Sequence, residues 1–210
     1  MKIESVTLHH LSMPLVSPFE TSFGCETDRE CVLVEIKSDG LTGYGECVAA
    51  RDPGYNYETT GTAIHILKDF IAPLIIGQSV IDAENFQERV AGIRGHNLAK
   101  AGVEMAIWDL IGKRENKSLR ELFGGTRTRV EVGVSIGLQA SPAALVETVG
   151  KYVMDGYRRV KIKIKPGRDV MDAMEVRAAF SHLLLQVDAN SAYTLKTAFA
   201  LKPLDALDLL

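Results

Sequence analysis

Cysteine is scarce: Cys25, Cys31 and Cys47 are the only three in 210 residues. An odd number, with neither C-x-x-C spacing nor a clustered histidine, excludes a disulfide framework and a cysteine-based zinc site and leaves free thiols. Positive charge is not in excess either. The 24 Lys+Arg against 27 Asp+Glu give a net charge of -3, so nothing draws the chain as a whole to nucleic acid or to an anionic membrane surface. No apolar run approaches the ~20 residues of a bilayer span. The opening MKIESVTLHH lacks the apolar stretch of a signal peptide. A cytoplasmic protein is expected, with neither a nucleic-acid nor a membrane partner. The Asn116-Lys117-Ser118 glycosylation pattern then carries no meaning. His9-His10, within a predicted strand, reads as a surface or packed pair rather than a metal site.

What is present changes character along the chain. KIESVTLHHLSM and RECVLVEIKS are β-rich, Asp39-Gly40 and Gly43 punctuate a hairpin, and LTGYGECVA returns as a third strand. Between the first two runs, VSPFETSFGCETD, with Pro18, Thr21, Ser22 and Gly24, is expected to be a loop of about ten residues. From Thr59 the period becomes helical. In LAKAGVEMAIWDLIGKREN the residues Ala101, Val103, Ala106, Ile107 and Leu110 share a stripe that weakens near Gly112, and Met105 and Trp108 read as packing residues. Gly124-Gly125 followed by TRTR reads as a boundary. Beyond it strand and helix alternate: RVEVGVSIG, then SPAALVETVGKYVMDG with Ser141 as N-cap and Pro142 at N1, then RRVKIKIK, GRDVMDAMEVRAAF, LLLQVDAN, AYTLKTAFALK, and a further strand opening at DALDLL. Such alternation predicts a parallel sheet with crossover helices.

The chemistry-bearing stretch is KIKIKPG, residues 161–167. Alternation puts Lys161, Lys163 and Lys165 on one face and Ile162 and Ile164 on the other. A solvated cationic face would suffice for an isolated strand, but parallel sheets of this kind are covered on both sides. In a closing barrel the isoleucines meet the outer helices and the lysines look inward, toward the strand ends where reactive groups gather. The next strand ends in VDAN, which brings Asp188 and Asn190 to that same end. Crowded, partly buried lysines favour one neutral amine, a candidate general base, while Asp188 stays ionised beside a cation. A lysine opposite a carboxylate-bound divalent ion is suited to removing a proton α to a carboxylate.

The order of these motifs, a β-rich cap with a loop, RGHNLAKAGVEMAIWDL, a Gly-Gly boundary, VGVSIG, VKIKIKPG and LLLQVDANSAYTL, resembles the enolase superfamily over essentially the whole chain. Within its muconate-lactonising branch it is similar to the o-succinylbenzoate synthase and N-acylamino acid racemase group. The resemblance implies an α+β capping domain at residues 1–125 and, at residues 126–210, the first βα units of a truncated, TIM-like (β/α)7β barrel. It implies Mg2+, or Mn2+, at the barrel mouth, with Lys163 as acid/base, Lys161 assisting electrostatically and Asp188 as the first metal ligand. Ser135 and Asn190 match positions lining the substrate pocket, and Thr21, Ser22, Phe23 and Tyr55 match segments that close over a small carboxylate substrate. Lys165 stands where relatives often carry an acidic residue and reads as peripheral. The chain stops where the fourth barrel strand would begin, before the remaining carboxylate ligands and the opposing lysine. The expectation is therefore an incomplete metal site and a chain inactive alone. A non-catalytic module that pairs its open sheet with a second copy, as a homo-oligomer, is the alternative.

Overall fold

The computed structural model describes residues 1–80 and 82–210. The chain divides into two compact units, Met1–Pro14 with Asp28–Thr128, and Leu15–Thr27 with Arg129–Leu210.

The first unit is built on an antiparallel sheet of β1 (Ile3–Thr21), β2 (Gly24–Ser38) and β3 (Leu41–Cys47), in the order β1-β2-β3. Asp39 and Gly40 adopt φ of 52° and 76°, the left-handed pair a two-residue hairpin turn requires, and they set the register Ser38↔Leu41 through Val32↔Cys47. One expectation fails here. The segment expected as a loop is strand on both sides, and only Ser22-Phe23 lies between β1 and β2. Pro18 is compatible with this because β1 is an edge strand, where a missing N–H breaks no ladder.

Helices follow. Thr59 caps α1 (Thr60–Ile66) in a reciprocal capping box with Thr62. The chain continues through a π-helical turn, Leu67–Ile71, into α2 (Ala72–Ile75). Pro73 has no N–H to donate, and next to it the ladder slips to Ala72 N–H donating to the Leu67 carbonyl. α3 (Ala83–Val90) is capped by Asp82, and α4 spans Asn97–Glu115. The expected weakening at Gly112 does not occur. The helix runs on to a left-handed cap at Asn116, and Gly112 is needed because the Lys117 carbonyl lies 2.9 Å from where its Cβ would be. α5 (Leu119–Leu122) has a Ser118/Glu121 capping box.

The unit's core forms where α4 lies on β3. The buried faces are Ala99, Gly102, Val103, Ala106, Ile107 and Leu110 on the helix, and Gly43, Gly45 and Cys47 on the strand. A Cβ on Gly45 would fall 2.0 Å from the Gly102 carbonyl oxygen and 2.6 Å from the Ala106 nitrogen. Backbone therefore meets backbone, and only glycine fits.

In the second unit, β4 (Gly133–Ile136), α6 (Pro142–Met154), β5 (Arg159–Lys163), α7 (Val170–Ala179) and β6 (Leu184–Asp188) form a parallel sheet in the order β4-β5-β6 with its helices. Ser141 caps α6 with Pro142 at its start, as read from sequence. Val160, Ile162, Ile164 and Leu185 are buried with Leu145 and Val149 of α6 and Ala173 and Val176 of α7. AYTLKTAFALK is not an α-helix. Thr194 and Thr197 close a local turn, and a 3-10 helix, Ala198–Leu207, follows with Pro203 inside it, because proline and short hydroxyl side chains both compete with the α ladder. DALDLL forms no strand either. Asp208 is left-handed, and Leu210 N–H donates to the Leu185 carbonyl at 2.9 Å. No described helix is long and apolar enough to cross a membrane.

Gly45→Ala is expected to lower the unfolding free energy by about 3 kcal/mol or more, because neither backbone can yield. Urea denaturation followed by Trp108 fluorescence checks this, and a loss under about 0.5 kcal/mol, ordinary for a surface change, would contradict the packing.

Candidate active site

The parallel register sorts the inner face of the second unit into rows. Ser135 pairs with Lys161, and Lys161 with Gln186. One row nearer the strand ends, Lys163 pairs with Asp188. Parallel partners share a face, so both lysines and the carboxylate stand on one side, with the isoleucines on the other.

The contacts close this arrangement. Lys161 Nζ lies 3.0 Å and Lys163 Nζ 2.8 Å from the same oxygen, Oδ2 of Asp188. Lys163 also donates to Asn190 Oδ1 at 2.6 Å. The other carboxylate oxygen, Oδ1, accepts the Asn190 backbone N–H at 2.9 Å. Lys163 is 7% exposed, and Lys161 and Asp188 are half-buried. The Lys163 ammonium, followed by the Asn190 N–H and the Lys161 ammonium, holds the Asp188 carboxyl far below the usual carboxylate range against the opposing effect of burial.

Asn190 and Ser191 have φ of 46° and 59°, two consecutive left-handed residues without a glycine. Each costs on the order of 1–2 kcal/mol, so the turn after β6 persists because its neighbours fix it. They are the Asp188–Asn190 bond, the Lys163–Asn190 bond, Ala192 N–H to the Ala189 carbonyl at 3.1 Å, and Ser22 Oγ to the Ala189 carbonyl at 2.8 Å.

Of the residues singled out in the sequence, Lys161, Lys163, Asp188 and Asn190 come together, and Ser135 stands in the Lys161 row with an exposed side chain. Thr21 Oγ1 accepts the Phe23 N–H at 3.2 Å at the hairpin tip, where Phe23 is exposed. Tyr55, also exposed, belongs to the first unit. Lys165 does not join the cluster. β5 ends at Lys163, and Lys165 opens a turn in which its N–H and the Arg168 N–H bond each other's carbonyls, while its Nζ pairs with Glu20 at 3.0 Å.

Gln186 and Glu20 were missed in the sequence. Gln186 was recoverable, since alternation in LLLQVD faces it with Asp188. Glu20 was hidden by reading its segment as loop. His9 and His10 bond Glu35 and Glu30 on β2, and Cys31 and Cys47 are buried free thiols whose titration burial pushes up.

The donor set does not by itself suit Mg2+ or Mn2+, which take about six oxygen ligands including more than one carboxylate or its equivalent. Asp188 is the one carboxylate in the lysine cluster, and the described residues hold no group of three or more His, Cys, Asp or Glu able to grip an ion.

The fold, an antiparallel sheet with helices and a partial parallel β/α sheet bearing paired lysines at its strand ends, defines a class, and comparison with known proteins agrees. The N-terminal domain of mandelate racemase / muconate lactonizing enzyme matches residues 2–124, and the chain belongs to that family of the enolase superfamily. It is 46% identical over 211 residues to the o-succinylbenzoate synthase of Geobacillus stearothermophilus, covering 100% of this chain and 56% of that one. It is 42% identical over 209 residues to the N-succinylamino acid racemase of Thermus thermophilus, covering 100% and 57%. A crystal structure of an enolase-superfamily member from Listeria innocua superposes with a TM-score of 0.93 at 40% identity, covering 100% of this chain and 57% of that chain. The chain thus spans a little over half the length of the relatives it matches.

Replacing Asp188 with Ala should cost about 2 kcal/mol near neutral pH, because a buried ammonium loses its counter-charge while the half-exposed Lys161 suffers less. Since folding lowers the pKa of Asp188, its contribution is complete above the ordinary aspartate value near 4 and fades as pH falls below it. Unfolding curves from pH 7 to 3 should show the gap between parent and variant narrowing in acid. A gap that stays constant or widens would contradict the ion pair.

Proposed function

We propose that this chain supplies the acid/base lysine and one carboxylate of a site that removes the proton α to a carboxylate, in the manner of o-succinylbenzoate synthase or an N-acylamino acid racemase. The observation that carries this reading is the convergence of Lys161 and Lys163 on one oxygen of Asp188. Kinship with a synthase and a racemase supports it. In this reading residues 1–125 act as the capping domain and 126–210 as the first βα units of the barrel. Ser135, Asn190, Thr21, Ser22 and Phe23, all in the second unit, are the proposed substrate contacts.

Lys163 receives the α-proton, while the Lys161 ammonium steadies the negative charge that develops on the substrate carboxylate. For Lys163 to act as base, the Asp188 charge it now faces must be engaged elsewhere. Further oxygen ligands and Mg2+ are what the resemblance calls for, with Asp188 as the first ligand. Dehydration needs only one acid/base on one face, since the lysine that takes the proton can return it to a departing hydroxide. Racemisation needs a second group opposite, and the lysine cluster offers none. With Asp188 the one carboxylate in the lysine cluster and held by Lys163 itself, these 210 residues are expected not to turn over alone in either reaction. A cytoplasmic setting belongs to the proposal and is supported by three free thiols.

Joining this chain to the C-terminal remainder of the Geobacillus stearothermophilus synthase tests the assignment. With Mg2+, α-proton exchange of an N-succinylamino acid in D2O, read by NMR, should appear in the chimera. It should fall by about 10²–10⁴ on Lys163→Ala and be absent from the 210-residue chain. Exchange indifferent to Lys163→Ala would overturn the assignment.

A homo-oligomer is part of the proposal. β4 and β6 are both sheet edges, and Val130, Val132 and Leu184 are exposed. Light scattering at high concentration should give a mass above the monomer's 23.0 kDa, and a monomer throughout would refute it.

A further inference from the structure

The tip of the β1–β2 hairpin packs within the second unit through contacts of which one, from Ser22, reaches the turn that carries the lysine's acceptors. Glu20 makes two of them. Its carbonyl accepts the Leu138 N–H at 2.9 Å, and its carboxylate pairs with Lys165 Nζ at 3.0 Å. The backbone comes this close because Gly137 lies beneath it. A Cβ there would stand 3.0 Å from the Glu20 oxygen and 3.2 Å from its nitrogen, closer than ordinary contact, so the hairpin backbone would have to give by a few tenths of an ångström. Two residues on, Ser22 Oγ donates to the carbonyl of Ala189. Ala189 sits between Asp188 and Asn190, the two residues whose side chains accept from Lys163. The next two residues, Asn190 and Ser191, are held in the left-handed region. Such a turn keeps its shape only while its surroundings over-determine it.

We propose that Ser22 is a positioning residue for Lys163: it anchors the Ala189 carbonyl and so fixes the Asp188–Asn190 turn, while the Glu20–Lys165 ion pair latches the hairpin tip in place to do so. Ser22 acts on Lys163 through Ala189, a role separate from the substrate contact proposed for it. The latch also gives Lys165 a function of its own. Its ammonium is neutralised by Glu20 at the hairpin and adds no third cation to the pair that shares Asp188. Glu20 and Lys165 are both partly exposed, 44% and 39% at their side chains, so salt weakens the latch in a way it cannot weaken a buried pair.

This inference rests on the reading of Lys163 as the acid/base for its catalytic meaning, but its test does not involve catalysis. Reductive methylation of the whole chain, with site-resolved mass spectrometry, reports how accessible each lysine amine is. In the parent protein Lys163 should be among the slowest to react. Ser22→Ala should raise its rate several-fold while the overall unfolding midpoint and the rate at Lys100 in the first unit stay put. Ser22→Thr, which keeps the hydroxyl, should restore protection. Glu20→Gln should act in the same direction, and Glu20→Lys combined with Lys165→Glu should reverse it. In the unaltered protein, raising NaCl to about 1 M, where the screening length falls to about 3 Å, should reproduce the effect, which keeps the test decisive if a variant fails to fold. Unchanged Lys163 reactivity in folded Ser22→Ala, or in the parent across that salt range, overturns the proposal. Lys163 protection lost equally in Ser22→Ala and Ser22→Thr, with Lys100 reacting faster as well, overturns it too, since general loosening would then be the cause. Failure of the chimera to exchange protons would count against the acid/base assignment and leave this result standing.

Discussion

One carboxylate oxygen holds two ammonium groups. Taking two lysines into partial burial is unfavourable unless a negative charge meets them, and Oδ2 of Asp188 meets both, at 3.0 and 2.8 Å. The strand order, the parallel register and the tight turn after β6 are what put that oxygen in reach. The isoleucine face supplies the burial that keeps the strands in register: Ile162 and Ile164 pack with the helices, so a slip of one residue would bury Lys161 and Lys163 among apolar side chains instead.

That constraint explains why the sequence could be read where it could. Lys161, Lys163 and Asp188 were legible because a period of two and a strand end are local properties, and because two strands in a βα repeat end on the same side. The α4 stripe and the Ser141 cap were legible for the same reason. Local rules misled wherever a distant partner decided the outcome. Pro18 and Gly24 mark a loop in isolation, but strand pairing takes up most of that segment, and with it Ser22 reaches the turn that carries the site while Glu20 reaches Leu138 and Lys165. Gly112 weakens a helix only if nothing covers it, and the Lys117 carbonyl does. Pro203 and the Thr194–Thr197 turn outweighed the helical composition of AYTLKTAFALK.

Glycines account for much of the rest. Gly45 and Gly102 let β3 and α4 touch through their backbones in one unit, and Gly137 lets the hairpin lie close on the residues that follow β4 in the other. In both cases a missing side chain sets the spacing between elements, information a hydrophobicity pattern does not carry. The two lysines, by contrast, announce themselves through strict alternation with Val160 and Ile162.

The central claim is that Lys161 and Lys163 share Asp188. Hydrogen-bond NMR on protein labelled with 15N-lysine and 13C-aspartate tests it most directly. Two lysine ammonium nitrogens should correlate with a single aspartate carboxylate carbon, and both correlations should vanish in Asp188→Asn. A spectrum in which neither ammonium, or only one, couples to that carboxylate would contradict the account.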